Sequence, residues 1–174
     1  MTKAGVLIAV LAAVAPPPAQ SPAIKPSQHG SVTQLVAMTT ITVDYNRPVA
    51  RGRELFGALV PYDRVWCPGA DDCTTLAVST DVTIEGHALP AGTYSLWAKP
   101  GAARWTLILN RAHPIFHTRY QTVADQDILT IDVTPRAGSH METLAFYFPV
   151  VNAKHAELVL HWGTVVVPLA IDVP

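Results

Sequence analysis

The chain is poor in charge. Asp, Glu, Lys and Arg make up 14% of its 174 residues, and 12 basic side chains stand against 13 acidic ones, a formal net charge of −1. Such a surface offers no sequence-independent attraction to phosphates or anionic lipid, which excludes nucleic acid as an expected partner. The 49% hydrophobic content, rich in β-branched residues, equally excludes a disordered chain. Absent too are a G-x-S-x-G elbow, a Gly-rich phosphate loop, an H-E-x-x-H pair and a dinucleotide fingerprint, so the common hydrolase, kinase and dehydrogenase templates find no match. No fixed-period repeat, heptad pattern or convincing amphipathic helix interrupts the chain. Cysteine is scarce, with Cys67 and Cys73 alone.

What is present begins with Thr2-Lys3 and the apolar run Ala4 to Ala15, which matches a signal-peptide core and is too short to span a bilayer readily. Pro16 is a poor residue to cut before, so cleavage is expected after Ala19. Residues 1–19 are then a signal peptide, with an uncleaved anchor as the competing reading. No Cys lies nearby to carry a lipid. Residues 20–31, rich in Pro, Ser, Gln and Ala, read as an extended tether. The remainder, 32–174, has the length for one well-buried core and not for two.

Period-two alternation runs through that remainder. Ile41, Val43 and Tyr45 share one face of a strand, Tyr94, Leu96 and Ala98 another, and Trp105, Leu107 and Leu109 a third. Leu129, Ile131 and Val133 repeat the pattern, as do Leu144, Phe146 and Phe148, then Leu158, Leu160 and Trp162. Glu85-Gly86 marks a tight turn. A single helical turn is expected at Arg51 to Gly57, and Pro168 places the last strand, Thr164 to Val173, at a sheet edge. Seven or more such runs predict an all-β single domain, an antiparallel β-sandwich or jelly-roll-like barrel with at most one short helical turn.

Several phrases are similar to a known bacterial family. They are Thr42-Val-Asp-Tyr-Asn-Arg-Pro, Gly52-Arg-Glu-Leu-Phe-Gly-Ala-Leu-Val-Pro-Tyr, Val65-Trp, Gly69-Ala70, Ser79-Thr-Asp-Val-Thr-Ile-Glu-Gly and Leu89-Pro-Ala-Gly-Thr-Tyr. Together they resemble domain of unknown function 2911, from roughly Ser31 to Val173. The resemblance implies an exported bacterial β-rich domain and assigns no catalytic residue. Two departures stand out. The family's loop usually reads W-R-x-G-A-N-E-A-T, whereas here it is Trp66-Cys-Pro-Gly-Ala-Asp-Asp-Cys-Thr74, both cysteines replacing ordinary residues at once. His117 stands where the family commonly has Gly.

Candidate chemistry gathers in and around residues 59–75. Cys67 and Cys73, in a chain that reads as exported, are expected to form a structural disulfide; metal ligation or a reactive thiol is the competing reading. Asp71 and Asp72 offer a metal ligand, a general base or acceptors for a sugar-like ligand, although neighbours in an extended loop point apart and turn capping competes. Gly69 reads as a residue free to take positive φ. His113 and His117, spaced H-x3-H, share a face and suit zinc or copper, without a clear third ligand. His87 and His161 are histidines the fold could bring to either pair. Tyr62, Trp66 and Trp97 are candidates to line a ligand groove, with core packing as the alternative, while Trp105 and Trp162 belong to apolar faces.

Two functions follow. The first is a periplasmic or secreted binding or structural module. It presents loop 59–75 to a small molecule or glycan and needs no cofactor, nucleic acid or stable membrane insertion. The second is a metal-dependent or acid/base enzyme using Asp71, Asp72, His113 and His117.

Overall fold

The computed structural model describes Met1 and residues 25–174. The expected signal peptide and the first part of the tether lie outside the described residues. Ten strands follow in order: β1 (Gln28–Val36), β2 (Thr39–Arg47), β3 (Thr75–Val78), β4 (Val82–Ile84), β5 (His87–Leu89), β6 (Gly92–Lys99), β7 (Trp105–Asn110), β8 (Asp127–Val133), β9 (Arg136–Val151) and β10 (His155–Asp172). They form two antiparallel sheets, one of six strands ordered β1-β2-β3-β6-β7-β8 and one of four ordered β5-β4-β10-β9. The predicted all-β sandwich is the architecture.

Alternation decides which residues meet between the sheets. Ile41, Val43, Leu96, Leu107, Leu109, Leu144, Phe146, Leu158 and Ile171 are all buried in one cluster shared by both layers. Burying each such side chain is worth about 1.5–3 kcal/mol, so this layer is the main source of stability. The sheets are also stitched along one side. There the chain leaving β2 bonds to β9 through Leu144 N to Pro48 O (3.0 Å) and Ala50 N to Glu142 O (2.7 Å). Arg47 Nε adds a bond to Leu144 O at 3.0 Å.

Three local expectations are corrected. Strand pairing begins at Gln28, opposite Arg47, so the last residues assigned to the tether belong to the sheet. No helical turn forms at 51–57, because Arg51 (φ 54°), Gly52 (φ 68°) and Gly57 (φ 94°) all adopt left-handed backbone that a right-handed helix cannot hold. Short 3₁₀ turns occur instead at Tyr120–Thr122 and Ala124–Gln126. Finally, Pro168 is not on an edge strand: β10 is one continuous strand lying between β4 and β9. Pro168 falls in the gap between its pairing with β9, which ends at Val166 opposite Arg136, and its pairing with β4, which starts at Ile171 opposite Ile84. No ladder bond there calls on the missing donor.

The same strand explains why one element looked like two. Its inward set is even-numbered up to Trp162 and odd-numbered from Val167. The register shifts on both sides of Gly163, whose φ is 58°, supply the irregularity that flips the face. A Cβ on Gly163 would stand 2.8 Å from Leu55 Cδ1, so the position is confined by packing as well as by backbone.

Candidate functional site

Two loops cover the outer face of the six-stranded sheet and border the candidate site. After β2 the chain returns to β6 twice. Trp66 and Ala98 exchange two backbone bonds of 2.8 Å, and Leu96 N donates to Thr74 O, also at 2.8 Å. Between these points residues 67–73 leave the ladder as an excursion, and Cys67 and Cys73 close it with a disulfide, Cα to Cα 5.7 Å. Trp97, the residue between the two anchor positions on β6, points outward beneath that closure. With Cys67, Cys73 and Ile108 it forms a second buried cluster, covered by Val65, Ile115 and Tyr120. Trp97 is fully buried and its Nε1 donates to Ser95 Oγ at 2.9 Å. It therefore cannot line an open groove, and that expectation is corrected: the outer face of β6 is sealed by the stapled loop.

The second loop, 111–126, locks onto the first. Cys73 N donates to Ile115 O (2.8 Å) and His117 N to Asp71 O (2.9 Å). Its far end is fastened to the sheet by Asn110 Nδ2, which donates to Val123 O and to Asp127 Oδ1, both at 2.7 Å. Tyr120 Oη donates to Asp127 Oδ2 at 2.6 Å while its ring lies 5.1 Å from that of Trp97. Burial, reinforced by the bond to Asp127 and by that carboxylate's charge, pushes the Tyr120 pKa up to about 12. Gly69 is explained by proximity rather than by the positive φ expected of it, since a Cβ there would meet Thr74 Oγ1 at 2.8 Å and the Asn46 carbonyl at 3.2 Å. The residue with positive φ in this loop is Asp71, at 57°.

Two hollows open beside the stapled loop, and Ser27 borders both. The larger, about 590 Å³, is lined by His29, Asp44, Asn46, Asp72 and Pro114 among others. Its side chains Lys25, His29 and Asp44 have partners within the protein, while Asp72 forms no ion pair among the described residues. His29 Nε2 lies 3.8 Å from Asp44 Oδ1, and Lys25 Nζ lies 3.7 Å from Asp71 Oδ2. The smaller, about 370 Å³, is lined by Arg51, Arg53, Trp66, Gly69, His117 and Trp162 together with apolar side chains. Trp66 stacks on Trp162 there, ring centroids 6.1 Å apart and planes inclined by 16°. Phe56 braces both edge-on, at 6.1 Å from each. Trp66 is half-buried while Trp162 is almost wholly covered, its Nε1 donating to Glu142 O at 3.3 Å. We take the smaller hollow as the candidate site, because it combines a fixed aromatic surface with unmatched polar groups.

The predicted site residues divide accordingly. Trp66 and His117 come together in the smaller hollow; Asp72 faces the larger one, and Asp71 is held by Lys25. Lys25 itself lines the larger hollow, so both carboxylates lie at or beside it. Tyr62 does not share the Trp66 hollow: it lies over Gly57 and borders smaller depressions with Phe56. His87 is exposed on β5 in the other sheet and borders neither hollow. His161 sits inside the four-stranded sheet with both ring nitrogens engaged, Nδ1 with Tyr147 Oη and Nε2 with Ser139 O, each at 3.0 Å. His113 is exposed and precedes a cis bond to Pro114. Among the described residues no group of three or more His, Cys, Asp or Glu could hold a metal ion, so His113 and His117 gain no third ligand. Reading the sequence missed Arg51, Arg53 and Trp162 as site residues. The first two were absorbed into an expected helical turn, and the third belonged to a strand's apolar face.

Residues 27–171 match the model of a family described as protein of unknown function, DUF2911. The chain belongs to that family. No curated protein and no solved structure matches it. Within this DUF2911 domain the matched region takes in both sheets, the stapled loop and all six residues named for the smaller hollow. Both cysteines are bridged, and among the described residues no helix is long and apolar enough to cross a membrane.

Proposed function

We propose that this protein is an exported bacterial binding module that holds a small molecule or glycan against the Trp66–Trp162 pair, in the hollow that the stapled loop borders. The observation carrying this reading is the half-buried Trp66 ring, braced by Phe56 and Trp162 at one side of a hollow of about 370 Å³. A pre-positioned indole face gives a flat ligand large contact area with little entropy to lose, and the hollow falls within the usual size of small-ligand sites. Export is supported by the signal-like N-terminus and by a disulfide, a bond that persists in oxidising compartments. The loop's part is to fix Trp66 and Gly69, since both lie in or beside the excursion that Cys67 and Cys73 close.

The test is titration of intrinsic tryptophan fluorescence with neutral and acidic oligosaccharides and with small aromatic compounds, repeated on Trp66→Ala. A saturable change that Trp66→Ala abolishes, with the melting temperature of the variant still cooperative, is the expected result. If no compound gives a saturable change, the binding reading is wrong. Export is checked by fractionation of the producing cell and N-terminal sequencing, where Gln20 is the expected first residue.

A further inference from the structure

Resting on that reading, we infer that the ligand is a ring compound bearing a carboxylate: the ring lies on Trp66, and Arg51 and Arg53 receive the anionic group. None of the residues bordering the hollow is acidic, whereas Arg51, Arg53 and His117 all border it. Neither arginine makes an ion pair among the described residues. The Glu142 carboxylate feels Arg53's charge but reaches ion-pair distance of neither arginine. Glu142 accepts from Arg51's backbone N at 2.7 Å and contacts His140 Nε2 at 2.9 Å, and Asp71 faces Lys25.

Arg53 is also oriented in advance. Its Nε donates to Ala50 O at 2.9 Å and its Nη2 to Val49 O at 2.6 Å, which fixes the guanidinium plane while leaving Nη1 without a bond to a described residue. A planar fork held in this way loses little freedom on receiving a carboxylate, and its charge-assisted hydrogen bonds are roughly twice as strong as neutral ones. The aromatic floor asks for a flat face and the cations ask for an anion, so the two demands together select a sugar acid or an aromatic acid over a neutral sugar. Both carry the same ring and carboxylate chemistry, and paired probes separate them.

Trigalacturonate and its methyl ester are titrated into the full chain at low salt, alongside naphthoate and naphthamide. One acid of these pairs is expected to bind about tenfold more tightly than its neutral partner, the factor that a strengthened hydrogen bond of this kind supplies. Which pair responds tells sugar acid from aromatic acid. Arg51→Gln and, separately, Arg53→Gln should lower the ratio of acid to neutral affinity towards one, measured for both partners on each variant, and added salt should weaken the acid alone. Equal affinity for acid and neutral forms overturns the anion assignment but leaves the binding reading intact. Failure of all four compounds to bind overturns the assignment, and the wider fluorescence titration then decides whether the binding reading falls with it.

Discussion

The two faces of β6 are buried in different ways. Inward, Tyr94, Leu96 and Ala98 meet the opposite sheet in a cluster assembled from both sheets. Outward, Ser95 and Trp97 are equally buried, yet what covers them is two loops, a disulfide and the Tyr120 ring. The inner face is secured by packing against the opposite sheet. The outer face depends on a few fastenings: the bridge, the Asn110–Asp127–Tyr120 network and five backbone bonds. Loops ordinarily lie on the surface because their backbone groups need partners. Here those partners are supplied locally, so a loop can act as a lid on one Trp while presenting another to solvent.

That contrast can be broken at several points. The largest expected effect is on the inner face, where Leu96→Ala should cost roughly 2–5 kcal/mol and lower amide-exchange protection in both sheets together. Replacing both cysteines, Cys67→Ser with Cys73→Ser, should cost about 2 kcal/mol, the closure entropy of so short a loop. Faster exchange should then be confined to residues 66–74 and 115–117. A loss of protection spread through both sheets would erase the distinction between the two faces.

A third test uses pH. The folded Tyr120 keeps its proton up to about 12, whereas an unfolded tyrosine loses it near 10.0. The stabilising contribution is therefore complete below pH 10 and disappears as pH rises through that interval. Tyr120→Phe should flatten this alkaline decline in denaturation midpoints, leaving the smaller part due to Tyr94, whose pKa burial also raises. An unchanged decline would mean that the ring's bond to Asp127 does not fasten the loop.

The smallest effect is expected at Lys25–Asp71, a pair whose side chains are 56% and 32% exposed. Asp71→Asn should change stability by less than about 1 kcal/mol, and by less still in salt. A larger loss would show that the N-terminal segment, rather than the bridge, holds the outer lid.

Much of the sandwich was legible because strand alternation is a local property: Ile41, Val43 and Tyr45 declare an inward face whatever they pack against. Where locality failed, the cause was a single irregular residue. Gly163 flips the inward set of β10 and disguised one strand as two, and left-handed Arg51 and Gly52 stopped a helix that composition favoured. The disulfide was readable from two cysteines in one loop of an export-type sequence. Which tryptophan the loop would cover was not, since period two says only that Trp97 faces away from Leu96.

The sequence by itself therefore determined the fold class, the family and the bridge between Cys67 and Cys73, because each follows from patterns along short stretches of chain. Only the tertiary structure decided the site. It sealed Trp97, sent Tyr62 elsewhere and set Trp66 on Trp162 beside Arg51, Arg53 and His117. These residues come from the chain after β2, the loop after β7 and β10, far apart in sequence. Nothing but the closing of two sheets on one another brings them to a single hollow.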